Sequence, residues 1–172
     1  MFDPNKPFKE TNKGDCVIDN LLQFDLKGHL EVLRSHGVLS AVINFGNTDE
    51  ISELVKDRES ACKAAALCTR YGNEETLRWL IDNFALTSND FSEIERNILS
   101  DKRAGKNIWH YLAKSTPILK QLVDSKIINA QSISLCGENI VKSLIDSAKY
   151  HSKYSPEHSR EIERVVSQLK SI

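Results

Sequence analysis

A thiol beside an imidazole is the simplest nucleophilic pair, and this chain offers the parts: Cys68 or Cys136 with His110. Such a pair attacks a carbonyl only where a base or cation draws the thiol pKa down, which spacing does not show. A buried cysteine acting as a small hydrophobic side chain is the default. His29 and His36 stand seven apart, and Pro156 separates His151 from His158. No cysteine lies at finger-like spacing to either pair, so no metal and no cofactor is expected. The acid pairs Asp49-Glu50 and Glu74-Glu75 would do general acid–base work only if they faced each other across a cleft. Both stand at helix starts, where carboxylates offset unpaired N–H groups. Glu93, Glu95 and Arg96 read as a solvated face. The phosphate-cradling G-x-x-x-x-G-K-[ST], the dinucleotide G-x-G-x-x-G, the zinc-binding H-E-x-x-H and the nucleophile turn G-x-S-x-G do not occur.

The elements that would position these residues are helical throughout. The 172 residues are 40% hydrophobic and 27% charged, with 7 glycines and 4 prolines, which suits a helical globular chain. Residues 1–14 are polar, carry two prolines and read as a loose arm; residues 15–172 read as one domain. Asp15 is placed to cap a helix with Val17, Ile18, Leu21 and Leu22 on one face, ended by Gly28. "HLEVLRSHG" reads as a short helix stopped by Gly37, and "VLSAVINF" as another closed by Gly46-Asn47. "DEISELVKD" puts Ile51, Leu54 and Val55 on one face. The alanine-rich "SACKAAALCTRY" ends at Gly72-Asn73, and "EETLRWLIDNF" follows as its amphipathic partner. Residues 86–104 read as an inserted loop carrying one helix, with Phe91, Ile94 and Ile98 on one side. "GKNIWHYLAKS" and "PILKQLVDSKI" form the next pair, joined at Thr116-Pro117. "ENIVKSLIDSAKYHSKY" and "PEHSREIERVVSQLKSI" form the last. No strand is expected.

A recurring helix–turn–helix–loop unit marks a solenoid. The chain resembles a degenerate ankyrin-repeat protein. In "GKNIWHYLAKS", Gly105 matches the unit's opening glycine, residues 107–110 stand at its T-P-L-H positions, and Ala113 at its second alanine. Gly72, Asn73, Glu75, Leu77, Leu80, Ile81 and Ala85 match the second half, and Leu122, Val123, Asn129 and Ala130 match the unit's end. A generic array of helical hairpins shares much of this pattern. The fold expected is all-α: stacked helical hairpins, an ankyrin-like α-solenoid of about four units with an inserted helix and helical caps.

The resemblance implies that His110 hydrogen-bonds to backbone and braces the stack, and that the function is binding another protein without catalysis. Trp79 and Trp109 read as packing residues. Arg70 and Tyr71 end one inner helix, and Tyr111 and Lys114 belong to the next, so stacking would bring the four onto one surface. Aromatic and arginine side chains are frequent interface anchors. Residues 86–104 are the loop candidate for partner contact. Two other classes stay open: an enzyme with a Cys/His or carboxylate site on the same scaffold, and a self-associating structural protein. The net charge of −1 gives no reason to expect nucleic acid, no stretch has the apolar length of a membrane span, and the start lacks the marks of a secretory signal. Scattered cysteines without a C-x-x-C pair suit a cytoplasmic setting. The family resemblance adds a second setting: a bacterial effector delivered into a host cell without a classical signal peptide.

Overall fold

The computed structural model describes residues 31, 33, 34, 37–45 and 48–172. The arm, the helix capped by Asp15, Cys16, Gly28, His29, His36 and the Gly46-Asn47 corner lie outside the described residues. Among the described residues there are nine α-helices and no strand, only an isolated antiparallel bridge between Ile133 and Asn139. We number the helices α1 (Leu39–Phe45), α2 (Thr48–Leu54), α3 (Arg58–Tyr71), α4 (Glu74–Phe84), α5 (Phe91–Leu99), α6 (Ile108–Leu112), α7 (Thr116–Asp124), α8 (Ile140–His151) and α9 (Pro156–Ser171).

Local chemistry sets most boundaries. Asp57 opens α3 with a capping box: its carboxylate accepts the Ser60 N–H at 2.8 Å, and the Ser60 hydroxyl accepts the Asp57 N–H at 3.2 Å. Gly72 closes α3 at φ 69°, a left-handed conformation that glycine adopts without a Cβ clash. Asn73 then caps α4 by accepting the Thr76 N–H at 3.1 Å. Lys126, just past α7, holds φ 58° without being glycine. That left-handed backbone carries a steric cost for a residue with a Cβ.

Consecutive helices pair: α1 with α2, α3 with α4, α6 with α7, and α8 with α9. Between pairs, α4 lies against α7 and α7 against α9, while α6 lies against α8 and α1 against α3. Most of these short helices find neighbours both within the pair and beyond it, which compensates for the marginal stability of isolated helices of this length. The contact face of α3 is built from Ala61, Ala64, Ala65 and Cys68, all buried, and small side chains let helices approach closely. One continuous core runs from Val42 to Leu169.

The segment 86–104 departs from the expectation of a surface loop. Its helix α5 sits between α3 and α6, with Phe91, Ile94 and Ile98 buried as their spacing predicts, and Leu86 and Ala104 buried at its flanks. The helix itself is core on its inner face, while Thr87, Ser88, Asn89, Lys102 and Arg103 of the segment stay exposed. Glu95, expected in water, is only 1% exposed; its Oε1 accepts the Leu135 N–H at 2.9 Å and ties α5 to the turn before α8. Glu93 and Arg96 do form an exposed pair at 2.6 Å. Leu54, expected inward with Ile51 and Val55, is 36% exposed.

His110 does not brace the helices: it is exposed. Asparagines do that work. Asn73 Nδ2 donates to the Ile43 carbonyl at 2.8 Å, joining α4 to α1. Asn107 caps α6 and donates to Ser143 Oγ at 3.1 Å, joining it to α8. Asn139 caps α8 and donates to the Ala130 carbonyl at 3.1 Å. Each side chain accepts at a helix N-terminus and donates across to another segment, a double role the amide permits. Among the described residues an imidazole that reaches backbone is His158, with Nε2 2.8 Å from the Ala113 carbonyl oxygen. Trp109 is fully buried as expected. Its ring stacks on Phe91 at 5.3 Å, and its Nε1 donates to the Glu138 carbonyl at 2.7 Å.

Candidate interaction surface

Three helices and the end of a fourth surround a cavity of about 270 Å³. Leu39 of α1, Ala66 and Leu67 of α3, and Ile98 of α5 give it apolar walls. Lys63 and Arg70 of α3, with Ser40, Asn97, Ser100 and Tyr111, supply its polar groups. Lys63 and Arg70 are seven residues apart, so they lie on one helix face two turns, or about 10 Å, from each other. Among the described residues no carboxylate lines the cavity.

Arg70 is held in place. Its guanidinium meets Asp101 at 2.9 Å, and Asp101 meets Arg103 at 3.0 Å, so one carboxylate serves two arginines. Burial opposes ionisation of Asp101, but hydrogen bonds from the Arg103 side chain and backbone, helped by the charges of Arg70 and Arg103, hold its carboxyl below the ordinary range. Lys63 is exposed. Among the described residues, the charged side chains of the lining are the cations Lys63 and Arg70.

The four residues picked out by spacing are not all brought together. Arg70 and Tyr111 line the same cavity. Lys114 stands just beyond it, exposed, with Nζ 5.9 Å from the centre of the Tyr111 ring, a cation–π separation. Tyr71 is half-buried against the core and does not line the cavity. Sequence reading missed Lys63, although it shares a helix face with Arg70; a search at seven-residue spacing for exposed cations would have found it. Ser40, Asn97 and Ser100 carried no such signal, because they come from helices whose positions only packing decides.

A larger groove of about 410 Å³ runs between α4, α7 and α9. Its charges balance in number, Glu74, Asp124 and Glu161 against Arg78, Lys120 and Arg164, and several of them are engaged within the groove. Lys120 and Gln168 both bind Asp124, at 2.7 and 2.6 Å, and Arg78 donates to Gln121 at 3.1 Å. Groups already paired offer a partner little electrostatic gain.

Among the described residues no hydrogen bond joins a cysteine to His110, which is exposed on α6. Cys68 is fully buried in α3 and burial pushes its thiol far up; burial likewise lifts the Cys62 thiol to about 11. Neither is a thiolate at neutral pH. Cys136 is exposed in the turn before α8, with its sulfur 3.0 Å from Ser134 Oγ. Among the described residues no three His, Cys, Asp or Glu side chains converge as a metal would require. His151 and His158 meet edge to face at 4.7 Å. Burial, then the neighbouring His158 and Lys114, press the His151 pKa down. Among the described residues no helix is long and apolar enough to cross a membrane.

No protein-family model matches the chain, and neither a curated protein nor a solved structure matches it.

Proposed function

We propose that this chain is an ankyrin-like helical-repeat module that binds another protein, without catalysis, through the surface around Arg70, Tyr111 and Lys114. The observation that carries the reading is the cavity between α1, α3, α5 and α6, whose walls are helices and whose lining brings Lys63 and Arg70 beside the Tyr111 ring. A site built on packed helices is pre-formed, so binding orders little that was free. Tyr111 and Lys114 at its edge supply the aromatic and cationic character common at interface anchors. The repeat reading is supported by the pairing of consecutive helices and by the asparagine links between pairs. An effector role inside a host cell is the setting that the family resemblance suggests.

The test is a comparison of partners recovered by wild type and by a Tyr111→Ala/Lys114→Ala variant of equal helicity. Loss of specific partners by the variant is the expected result. Recovery of the same partners at equal strength would place the binding surface elsewhere.

A second reading, self-association, has one observation in its favour. Ile133 and Leu135 are 63% and 51% exposed on the turn that Glu95 grips. Sedimentation across a range of concentrations distinguishes it: a constant mass of one chain excludes self-association through that turn.

A further inference from the structure

Two imidazoles meet where the turn between α8 and α9 lies against the end of α6. We propose that His151 and His158 form an acid-sensitive latch. With at most one proton on the pair, the α8–α9 corner stays closed on the α6–α7 corner; a second proton opens it. The latch is independent of whether the surface around Tyr111 binds a protein.

The sequence puts both rings at one corner. His151 is the last residue of α8, and Pro156 starts α9 two residues before His158. The rings pack with centroids 4.7 Å apart and planes at 86°. His158 ties the corner to α6. Its Nε2 lies 2.8 Å from the Ala113 carbonyl oxygen, which can only accept, so Nε2 carries the hydrogen. Its Nδ1 lies 3.8 Å from Glu161 Oε2, and that oxygen also accepts the Thr116 hydroxyl at 2.7 Å, at the start of α7. A proton added at Nδ1 of His158 is therefore met by a carboxylate.

His151 has no such reception. From α9 it faces His158, and from the turn after α6 it faces Lys114. On its own helix the neighbour is the uncharged Tyr150 ring at 5.4 Å, with Tyr154 tilted against Tyr150. Glu161 engages His158 and Thr116, and among the described residues no carboxylate pairs with His151. The carbonyl end of α8 favours a cation in its last turn. Burial outweighs that effect, helped by His158 and Lys114, and the His151 pKa is pressed below the ordinary imidazole value. A folded-state pKa that is lowered adds stability that is present above the ordinary imidazole range. That stability is lost as pH falls through the lowered value. Imidazoles this close titrate as a pair, and the second proton is the costly one. Leu144 and Ala148 of α8 and Ile162 and Val166 of α9 stay buried in the core, so repulsion acts on the corner and not on the whole helix pair.

Amide exchange of the whole chain, followed from about pH 7.5 to about 5.5, reads the latch. Wild type is compared with His151→Phe, which keeps a ring that cannot be charged, with His151→Gln, and with His158→Gln, which keeps a donor for the Ala113 carbonyl. The ratio of wild type to variant at each pH cancels the intrinsic pH dependence of exchange. The reporting amides are Ser152, Tyr154, Ser155 and Ser159, whose N–H groups donate to carbonyls within the corner. Their exchange ratio to each variant is expected to rise about threefold or more from the upper pH to the lower, while the ratio for α3 amides stays level. A constant offset reports lost packing; the slope with pH reports the charge. Corner ratios flat with pH for the His151 variants overturn the latch, and His151→Gln decides this if His151→Phe does not fold. A flat ratio for His158→Gln overturns the pair as its cause. An equal rise in α3 also overturns it, since acid would then loosen the fold through other groups.

Discussion

Glu95 shows what a single residue can hide. Its neighbours Glu93 and Arg96 behave as surface charges, and nothing in the local sequence sets it apart. Yet it is 1% exposed and accepts the Leu135 N–H. Burial pushes its carboxyl above the ordinary range, against the smaller opposing effects of the Leu135 N–H and Arg96. A folded-state pKa raised above the unfolded one adds stability that is fully present at low pH. That stability is lost as pH rises through the raised value. Glu95→Gln keeps an acceptor for Leu135 and removes the charge. Its stability relative to wild type is therefore expected to climb as pH rises from the ordinary carboxylate range toward neutrality, measured by urea unfolding at several pH values. Glu95→Ala removes the acceptor too and is expected to lie about 1–2 kcal/mol below Glu95→Gln at all of them. A difference curve for Glu95→Gln that is flat with pH would mean the carboxylate is solvated. Asp90 has the opposite sign. Hydrogen bonds from Arg58, at 2.6 and 2.7 Å, lead the effects that hold its carboxyl at about 2, so its contribution is present at neutral pH and fails only in strong acid.

At the scale of elements, turns carry the cost and the information. Gly72 and Lys126 both adopt left-handed backbone, but only Gly72 is free of the Cβ penalty. Lys126→Gly is expected to stabilise the protein by about 0.5–1 kcal/mol, the relieved strain outweighing the extra freedom glycine gives the unfolded chain. A thermal melt checks this, and a lower midpoint would show that the lysine side chain has a packing role. The helix that sequence reading set apart, α5, is the one whose placement the repeat plan did not anticipate. Its periodicity was legible: Phe91, Ile94 and Ile98 are buried. Its location was not, since an amphipathic stripe says that a face is covered and not by what. The same limit applied to His110, assigned by resemblance to a brace that Asn73, Asn107 and Asn139 provide.

At the scale of the molecule, the question is whether helix pairs lean on nearest neighbours or share one indivisible core. The pairing order, with α4 against α7 and α7 against α9, favours coupling that falls off along the chain. Ile162 is fully buried in α9, next to α7 and α8. Ile162→Ala is expected to cost about 2–4 kcal/mol. Amide exchange should show the lost protection concentrated in α7, α8 and α9, with α3 and α4 changed far less. Protection lost evenly from α3 to α9 would contradict the repeat reading and favour a single cooperative globule.

The sequence alone determined the helical class, most helix boundaries and the buried stripes. Those follow from interactions within a few residues: an Asn or Asp at a cap, a glycine at a left-handed turn, apolar side chains every three or four positions. It also marked Arg70 and Tyr111, because their types are conspicuous. Tertiary structure decided that these two share a cavity, that Tyr71 does not, that Lys63 joins them, and that Glu95 is inside. These facts depend on which helices meet, and residues 40, 63, 97 and 111 come from four separate helices. Helix-to-helix packing is a long-range balance of shape and burial that no local pattern encodes.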